Sequence, residues 1–343
     1  MHDNHSIEPF ERSTLKTLVD KTRSGKERDW KGKKRRAELM ADHFDVGGLN
    51  RKAERIHECA DILVFKKTEE GLKLYQAWFC KVRLCPMCNW RRSLKIAYQN
   101  KRIIETINER ENVRWVFLTL TVRNVEASEL PDMLSSMFEG FRRLMQYKAV
   151  KKSVKGYFRA LEVTKNRDPQ SESFGTYHPH FHVLLCVPTS YFKKKEYYIK
   201  QSDWTSLWKR AMKLDYKPIV HVQKVKPKES LDDLEVYEEE FKKAIKERNA
   251  ILEVSKYPVK DTDIIKGNKV TEENVETVLT LDNALAYKRL IGYGGLLKQV
   301  HKELNLDDAE DGDLINVSED DEVANGAFDV IAKWHVGLRD YII

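Results

Sequence analysis

Apolar and polar residues alternate cleanly in RWVFLTLTV. Val116, Leu118, Leu120 and Val122 fall on one side and Trp115, Phe117, Thr119 and Thr121 on the other, the period-two signature of a strand. LPDMLSSMFEGFRRLMQ then places apolar residues at helical spacing. GYFRALEVTKN reads as a second strand, NRDPQSESFGT as a polar connector and HPHFHVLLCV as a third strand. DWTSLWKRAMKLD is an amphipathic helix and PIVHVQKVK a fourth strand. A helical stretch follows from Ser230, a plausible N-cap, through SLDDLEVYEEEFKKAIKERNAILEVSKY.

Upstream, RAELMADHFD and RKAERIHECADIL read as short helices. LVFKK and LKLYQAWFC read as a hairpin closed by a turn at Gly71, and RRSLKIAYQNKRIIETINER as a long basic helix. Downstream of residue 265, NALAYKRLIGYGGLLKQVHKELN reads as helix broken near Gly292, Gly294 and Gly295. DDAEDGDLINVSEDDE reads as an acidic mobile segment, and AFDVIAKWHVGLRDYII as an apolar terminus that must dock somewhere. The order predicts an α+β fold, with helices packed on one largely antiparallel sheet.

Charge sharpens this picture. The net charge of the 343 residues is +7, but residues 1–110 carry +9 and residues 301–343 carry −9. A basic body points to a polyanion, most commonly nucleic acid. The N-terminus lacks a basic-then-apolar leader and no run of 18 apolar residues occurs, so a cytoplasmic protein with no membrane partner is expected.

Four of the five cysteines, Cys59, Cys80, Cys85 and Cys88, lie within 30 residues. Without a secretion signal, such clustering points to metal rather than disulfides. Four thiolates around a tetrahedral Zn²⁺ would tie the hairpin to the CPMC knuckle, with His57 as a substitute fourth ligand. Arg91, Arg92 and Lys95 follow the knuckle beside Trp90, a mix that suits DNA contacts. Cys186, in an apolar strand, reads as inert core.

The chemistry concentrates in GTYHPHFHVLLCV. His178, His180 and His182 share one strand face with Leu184 and Cys186, so that face is polar at one end and apolar at the other. Imidazoles at i and i+2 can share one ion. Glu162, between Leu161 and Val163 on the preceding strand, is a carboxylate in a stretch that should be buried, which is costly unless it is paired or metal-bound. A site for Mg²⁺ or Mn²⁺ needs such an oxygen ligand. Thr119 and Thr121 are either cleft lining or sheet packing.

The His-hydrophobic-His of HPHFHVLL, FLTLTV and LEVT before it, KYPVKDTD after it and FCKVRLCPMCNWRRSLK upstream together resemble the rolling-circle replication initiators (Rep proteins) of small Gram-positive plasmids, within the HUH endonucleases. The resemblance runs from about Cys59 to Asp263. It implies an HUH-type central antiparallel sheet with flanking helices, plus an N-terminal zinc-ribbon-like DNA-binding region. It implies His180, His182 and Glu162 as ligands of Mg²⁺ or Mn²⁺, with His178 a weaker candidate. Tyr257 becomes the nucleophile and Glu253, four residues earlier, the group that activates water at termination; Lys256 and Lys260 flank the tyrosine and favour an anionic substrate. The partners implied are plasmid double-strand origin DNA, a host helicase and a DNA polymerase; a homodimer is compatible with this reading.

The expected organisation is a flexible basic segment over 1–50, a cysteine-cluster region over 51–110, the HUH nicking-joining domain over 111–265, and a C-terminal helical region with an acidic tail over 266–343. The alternatives are an HUH relaxase or single-strand transposase and, from another class, a non-catalytic zinc-ribbon DNA-binding regulator. The regulator leaves the histidine face and Glu162 without a reason.

Overall fold

The computed structural model describes residues 15–225 apart from 23 and 70, residues 261–317 and residues 328–343. Its elements are α1 (Trp30–Val46), α2 (Asn50–His57), β1 (Ile62–Thr68), β2 (Gly71–Ala77), α3 (Pro86–Arg110), β3 (Val113–Thr121), α4 (Leu130–Gln146), α5 (Lys148–Ser153), β4 (Gly156–Lys165), β5 (Tyr177–Pro188), α6 (Gln201–Met212), β6 (Val220–Lys224), α7 (Asp261–Ile264), α8 (Glu272–Ala284), β7 (Ile291–Gly295), α9 (Leu296–Glu303), β8 (Phe328–His335) and β9 (Asp340–Ile342). They build two antiparallel sheets, of order β2-β1-β8-β9 and β6-β3-β5-β4-β7. The α+β expectation holds, with two sheets in place of one.

The five-stranded sheet follows directly from the alternation. On its back face, Phe181 of β5 packs against Phe138 and Phe141 of α4 and Trp208 of α6, with ring centroids 5.4, 5.5 and 6.4 Å away. The α4 residues Leu130, Leu134, Met137, Phe141 and Leu144, at helical spacing, are buried together. Trp208 is fully buried, and its indole N–H donates to the Thr121 carbonyl at 2.8 Å. Each large apolar side chain removed from water this way contributes roughly 2–3 kcal/mol before entropy is counted. On the front face α3 covers one end only: Asn108 accepts from the Trp115 indole at 3.1 Å and Asn100 accepts from the Tyr293 hydroxyl at 2.9 Å.

Three sequence expectations are corrected. The stretch containing Gly292, Gly294 and Gly295 is not broken helix but β7, an edge strand paired to β4. Gly295 has φ +55°, and a Cβ there would lie 2.3 Å from the Lys155 carbonyl, so only glycine lets the chain turn from β7 into α9 this close to β4. The segment expected to be flexible over residues 1–50 contains α1, which includes the short helix expected over RAELMADHFD but starts earlier, at Trp30, capped by the Asp29 carboxylate and anchored by fully buried Met40 and Phe44. The C-terminal region expected to be helical supplies β8 and β9, which complete the sheet begun by β1 and β2. The helix expected from Ser230 lies outside the described residues.

The acidic segment is also built into the fold over its described residues, 306–317. Lys95 of α3 donates to the Asp307 carboxylate and to the Asp313 carbonyl, both at 2.6 Å. Arg91 donates to the Leu314 carbonyl at 2.8 Å and Arg92 to the Glu310 carbonyl at 2.9 Å. Buried Glu310 accepts from the Leu290 N–H at 3.1 Å, so the segment clasps α3 to β7. Burial works to raise the Asp307 and Asp313 carboxyls. The Lys95 ammonium and main-chain N–H donors nevertheless hold both below the ordinary carboxylate range. A folded pKa below the unfolded one gives stability that is fully present above the ordinary carboxylate pKa, about 4, and is lost as pH falls below it through the lowered folded pKa. Amide exchange of residues 306–317, corrected for intrinsic rate, should therefore accelerate relative to α4 between about pH 5 and about pH 2; equal protection at both pH values would refute the clasp.

Candidate functional site

Two clusters of ligating side chains stand among the described residues: Glu162, His180 and His182, and Cys59, Cys80, Cys85 and Cys88. The first follows from strand register. Glu162 of β4 lies opposite His180 of β5, and His182 lies two residues along the same face, opposite Ala160. The Glu162 Oε2 is 2.9 Å from His182 Nε2 and 3.3 Å from His180 Nε2. Ligands at right angles around an ion with bonds of about 2.1 Å sit about 3 Å apart, so this donor set fits one divalent cation. The three side chains are 12–13% exposed, at the end of the front face that α3 leaves open.

The backs of both imidazoles are tied. His180 Nδ1 lies 3.2 Å from the His178 carbonyl, which accepts its N–H and leaves Nε2 as the lone-pair donor. His182 Nδ1 lies 3.4 Å from the Thr119 hydroxyl, and its ring stacks on Phe117 at 5.5 Å with planes 13° apart. Thr119 therefore lines the cleft beside the His182 ring, a choice the sequence left open. Thr121 instead donates to the Ile219 carbonyl at 2.9 Å, which is sheet packing. Thr119→Val should weaken Mn²⁺ affinity by roughly tenfold while leaving the melting temperature within a few degrees, the range expected for an outer hydrogen bond to a ligand; unchanged affinity in a titration would remove it from the site.

His178 stands apart. Its ring stacks on His180 at 5.2 Å and it is not one of the clustered donors. Burial, then the neighbouring His180, lower its pKa, so it is neutral at pH 7. It supports His180 through its carbonyl and ring rather than ligating alongside it.

The cysteine cluster joins three chain segments: Cys59 after α2, Cys80 after β2, and Cys85 and Cys88 at the start of α3. The Sγ separations Cys59–Cys88, Cys80–Cys88 and Cys59–Cys85 are 3.6, 3.6 and 3.7 Å. A disulfide needs about 2.05 Å, whereas the edge of a tetrahedron with Zn–S bonds of about 2.3 Å is about 3.8 Å. The amides of Cys80 and Lys81 point at Cys59 Sγ and Cys88 Sγ at 3.4 and 3.3 Å, the donors a thiolate takes. Burial pushes the Cys59 and Cys85 thiols well up. At Cys88 burial is outweighed by bonds from the other three thiols and by Arg92, which hold it well below the ordinary thiol range. The donor set fits Zn²⁺. His57 is not a substitute ligand: its ring lies on the surface, 3.5 Å from Asp42. Cys186 is buried in β5 with its thiol pushed up to about 12 by burial, which makes it an inert core residue.

The DNA contacts expected of Arg91, Arg92 and Lys95 need correcting. They are only 1, 2 and 3% exposed, and their donors hold the clasp and the knuckle backbone. Arg91 also lies over the Trp30 and Trp90 rings, at 5.3 and 5.7 Å from their centroids. Composition cannot tell a cation that faces solvent from one that organises main-chain carbonyls. The spacing i, i+4, i+8 of Arg91, Lys95 and Gln99 was the available signal of a shared buried face. Tyr257, Glu253, Lys256 and Lys260 lie outside the described residues.

Among the described residues no helix is long and apolar enough to cross a membrane. No solved structure matches the chain. A family model described as "Replication protein" matches residues 71–342. A "Protein rep" of Bacillus amyloliquefaciens is 59% identical over 336 residues, 95% of this chain and 97% of that one. A "Protein rep" of Streptococcus pneumoniae serotype 2 (strain D39 / NCTC 7466) is 40% identical over 96% of each chain. A "Replication protein" of Staphylococcus aureus is 44% identical over 252 residues, 73% of this chain and 99% of that one. With a match running from β2 to the last strand, and relatives matched over nearly their whole length, the chain belongs to the replication protein family.

Proposed function

We propose that the protein is a cytoplasmic initiator of plasmid rolling-circle replication that binds the double-strand origin and nicks one strand. The observation that carries the reading is the Glu162, His180 and His182 cluster, three donors that converge from two adjacent strands of the five-stranded sheet. Two imidazoles and one carboxylate suit Mn²⁺ better than Mg²⁺, which prefers oxygen. A cation held there would polarise the scissile phosphate and offset the charge that develops on it.

In this reading Tyr257 supplies the nucleophile. Its phenolic oxygen bonds to phosphorus, the bond from phosphorus to the 3′ oxygen breaks, and that oxygen leaves as a 3′-OH after taking up a proton. The 5′ phosphate stays on the tyrosine, so the energy of the broken diester is conserved. Pro258 disfavours helical angles at Tyr257, which frees the side chain to reach a cleft. Lys256 and Lys260 hold the backbone phosphates. Glu253 takes a proton from water at termination, so that hydrolysis rather than a second transesterification releases the protein. Host helicase and polymerase would then use the displaced strand and the free 3′-OH.

The test is nicking of a supercoiled plasmid that carries the cognate origin. Open circles should form with Mn²⁺ or Mg²⁺, and neither in EDTA nor on a plasmid lacking the origin. Origin binding without nicking under any metal would favour a DNA-binding regulator instead.

A further inference from the structure

The four-stranded sheet has one dry face and one wet face. Leu63, Phe65, Leu74, Ala332 and Tyr341 are buried on the inner side, with Phe65 edge-on to Trp30 at 5.8 Å. The outer side is unusual for a surface. Ile62 and Ile331 are each 50% exposed, as is Trp78 just past the end of β2, and Tyr75 is 52% exposed. Lysines sit among them: Lys333 is opposite Ile62 in register, and Lys66 is opposite both Lys73 and Asp329. Lys66 pairs with Asp329 and lies 4.7 Å from the centroid of the Tyr75 ring. Exposed apolar groups concentrated on one sheet face mark a binding surface.

We infer that this outer face is a platform for single-stranded DNA, with Tyr75 and Trp78 stacking on bases and Lys66, Lys73 and Lys333 facing phosphates. The inference rests on the initiator reading for its biological substrate, because nicking and unwinding at an origin generate single strands. Three physical points favour that occupant. Two half-exposed aromatic rings offer stacking surfaces that every base can use. A duplex hides its base faces within the stack, so it would leave those rings unused. A protein partner would bury three lysines, residues that interface cores exclude. It also gives the basic body a nucleic-acid surface, which the buried Arg91, Arg92 and Lys95 do not supply.

The experiment uses the full chain and fluorescein-labelled (dT)20, with binding followed by anisotropy across a salt series. Tyr75→Ala with Trp78→Ala should weaken binding at least tenfold with the salt slope unchanged, whereas Tyr75→Phe with Trp78→Phe should stay within threefold of wild type. Lys66→Gln with Lys333→Gln should weaken binding and flatten the salt slope by between one and two. Cleavage of a short oligonucleotide spanning only the nick site, at saturating concentration, should be unchanged in all three. If the alanine pair fails to fold, the lysine pair still reads the face. Unchanged (dT)20 affinity in the lysine and aromatic variants overturns the platform. The same result with an altered sedimentation coefficient overturns it in favour of a contact between copies. Loss of nicking by the wild-type chain would sink the initiator reading, while the (dT)20 series would still decide the platform.

Discussion

His182→Ala should abolish metal-dependent cleavage of an origin oligonucleotide, a fall on the order of 10³-fold or more in single-turnover rate. His182 supplies one of the three donors clustered among the described residues, and its Nε2 is the closer of the two imidazole nitrogens to Glu162, at 2.9 Å. Its loss leaves one imidazole and a carboxylate, too few to hold a cation against water. Raising the Mn²⁺ concentration should recover part of the rate if the lesion is in affinity, and recovery in millimolar Mn²⁺ but not Mg²⁺ would identify the softer ion. The ring is 13% exposed and stacked on Phe117, so its removal also costs some stability, and the rate is to be compared at a temperature where the variant is shown to be folded. A variant that cleaves at the wild-type rate would show that the histidine face is structural.

Cys88→Ser should have the largest effect on folding. Cys88 Sγ lies 3.6 Å from both Cys59 and Cys80 and accepts the Lys81 amide, and the residue sits at the start of α3, so its loss reaches both the cluster and that helix. A structural zinc contributes on the order of 10 kcal/mol, as much as the whole net stability of a typical domain, roughly 5–15 kcal/mol. The serine variant should lose its zinc and the cooperative unfolding of α1, α2, β1 and β2. The damage should spread to α3, whose first turn carries Cys88. Lys34, fully buried, donates to the Cys59 carbonyl at 3.0 Å, so α1 leans on the same knot. Zinc content by mass spectrometry should be about one per chain in the wild type and near zero in the variant. A variant with wild-type melting and near-ultraviolet dichroism would reduce the four cysteines to packed thiols.

How much of this was legible in the sequence follows from the range of each interaction. The histidine face was readable because a strand imposes its period locally, so His178, His180 and His182 had to share a side whatever the rest of the chain did. Pairing Glu162 with His180 needed only an antiparallel connection between adjacent strands. The cysteine knot was readable from spacing, but not the surface position of His57 beside Asp42. β7 was not readable: GYGG lacks the β-branched residues that mark a strand, and its glycines serve the close approach to β4. Nor were β8 and β9, because β8 pairs with β1, more than 250 residues earlier in the chain, and β9 pairs with β8. The acidic segment misled for a related reason. Its carboxylates read as solvated charge, yet Asp307 and Glu310 meet cations of α3 and of the knuckle that only the tertiary fold brings near.

The most direct test of the central claim is to trap the covalent intermediate. The full chain is incubated with Mn²⁺ and an origin oligonucleotide labelled 3′ to the expected nick, and the products are separated on a denaturing gel. The account predicts a labelled protein band, absent in EDTA and in Tyr257→Phe, whose phosphopeptide maps to Tyr257. Origin DNA that is bound but never cut with Mn²⁺ or Mg²⁺, or an adduct that persists in Tyr257→Phe, would contradict it.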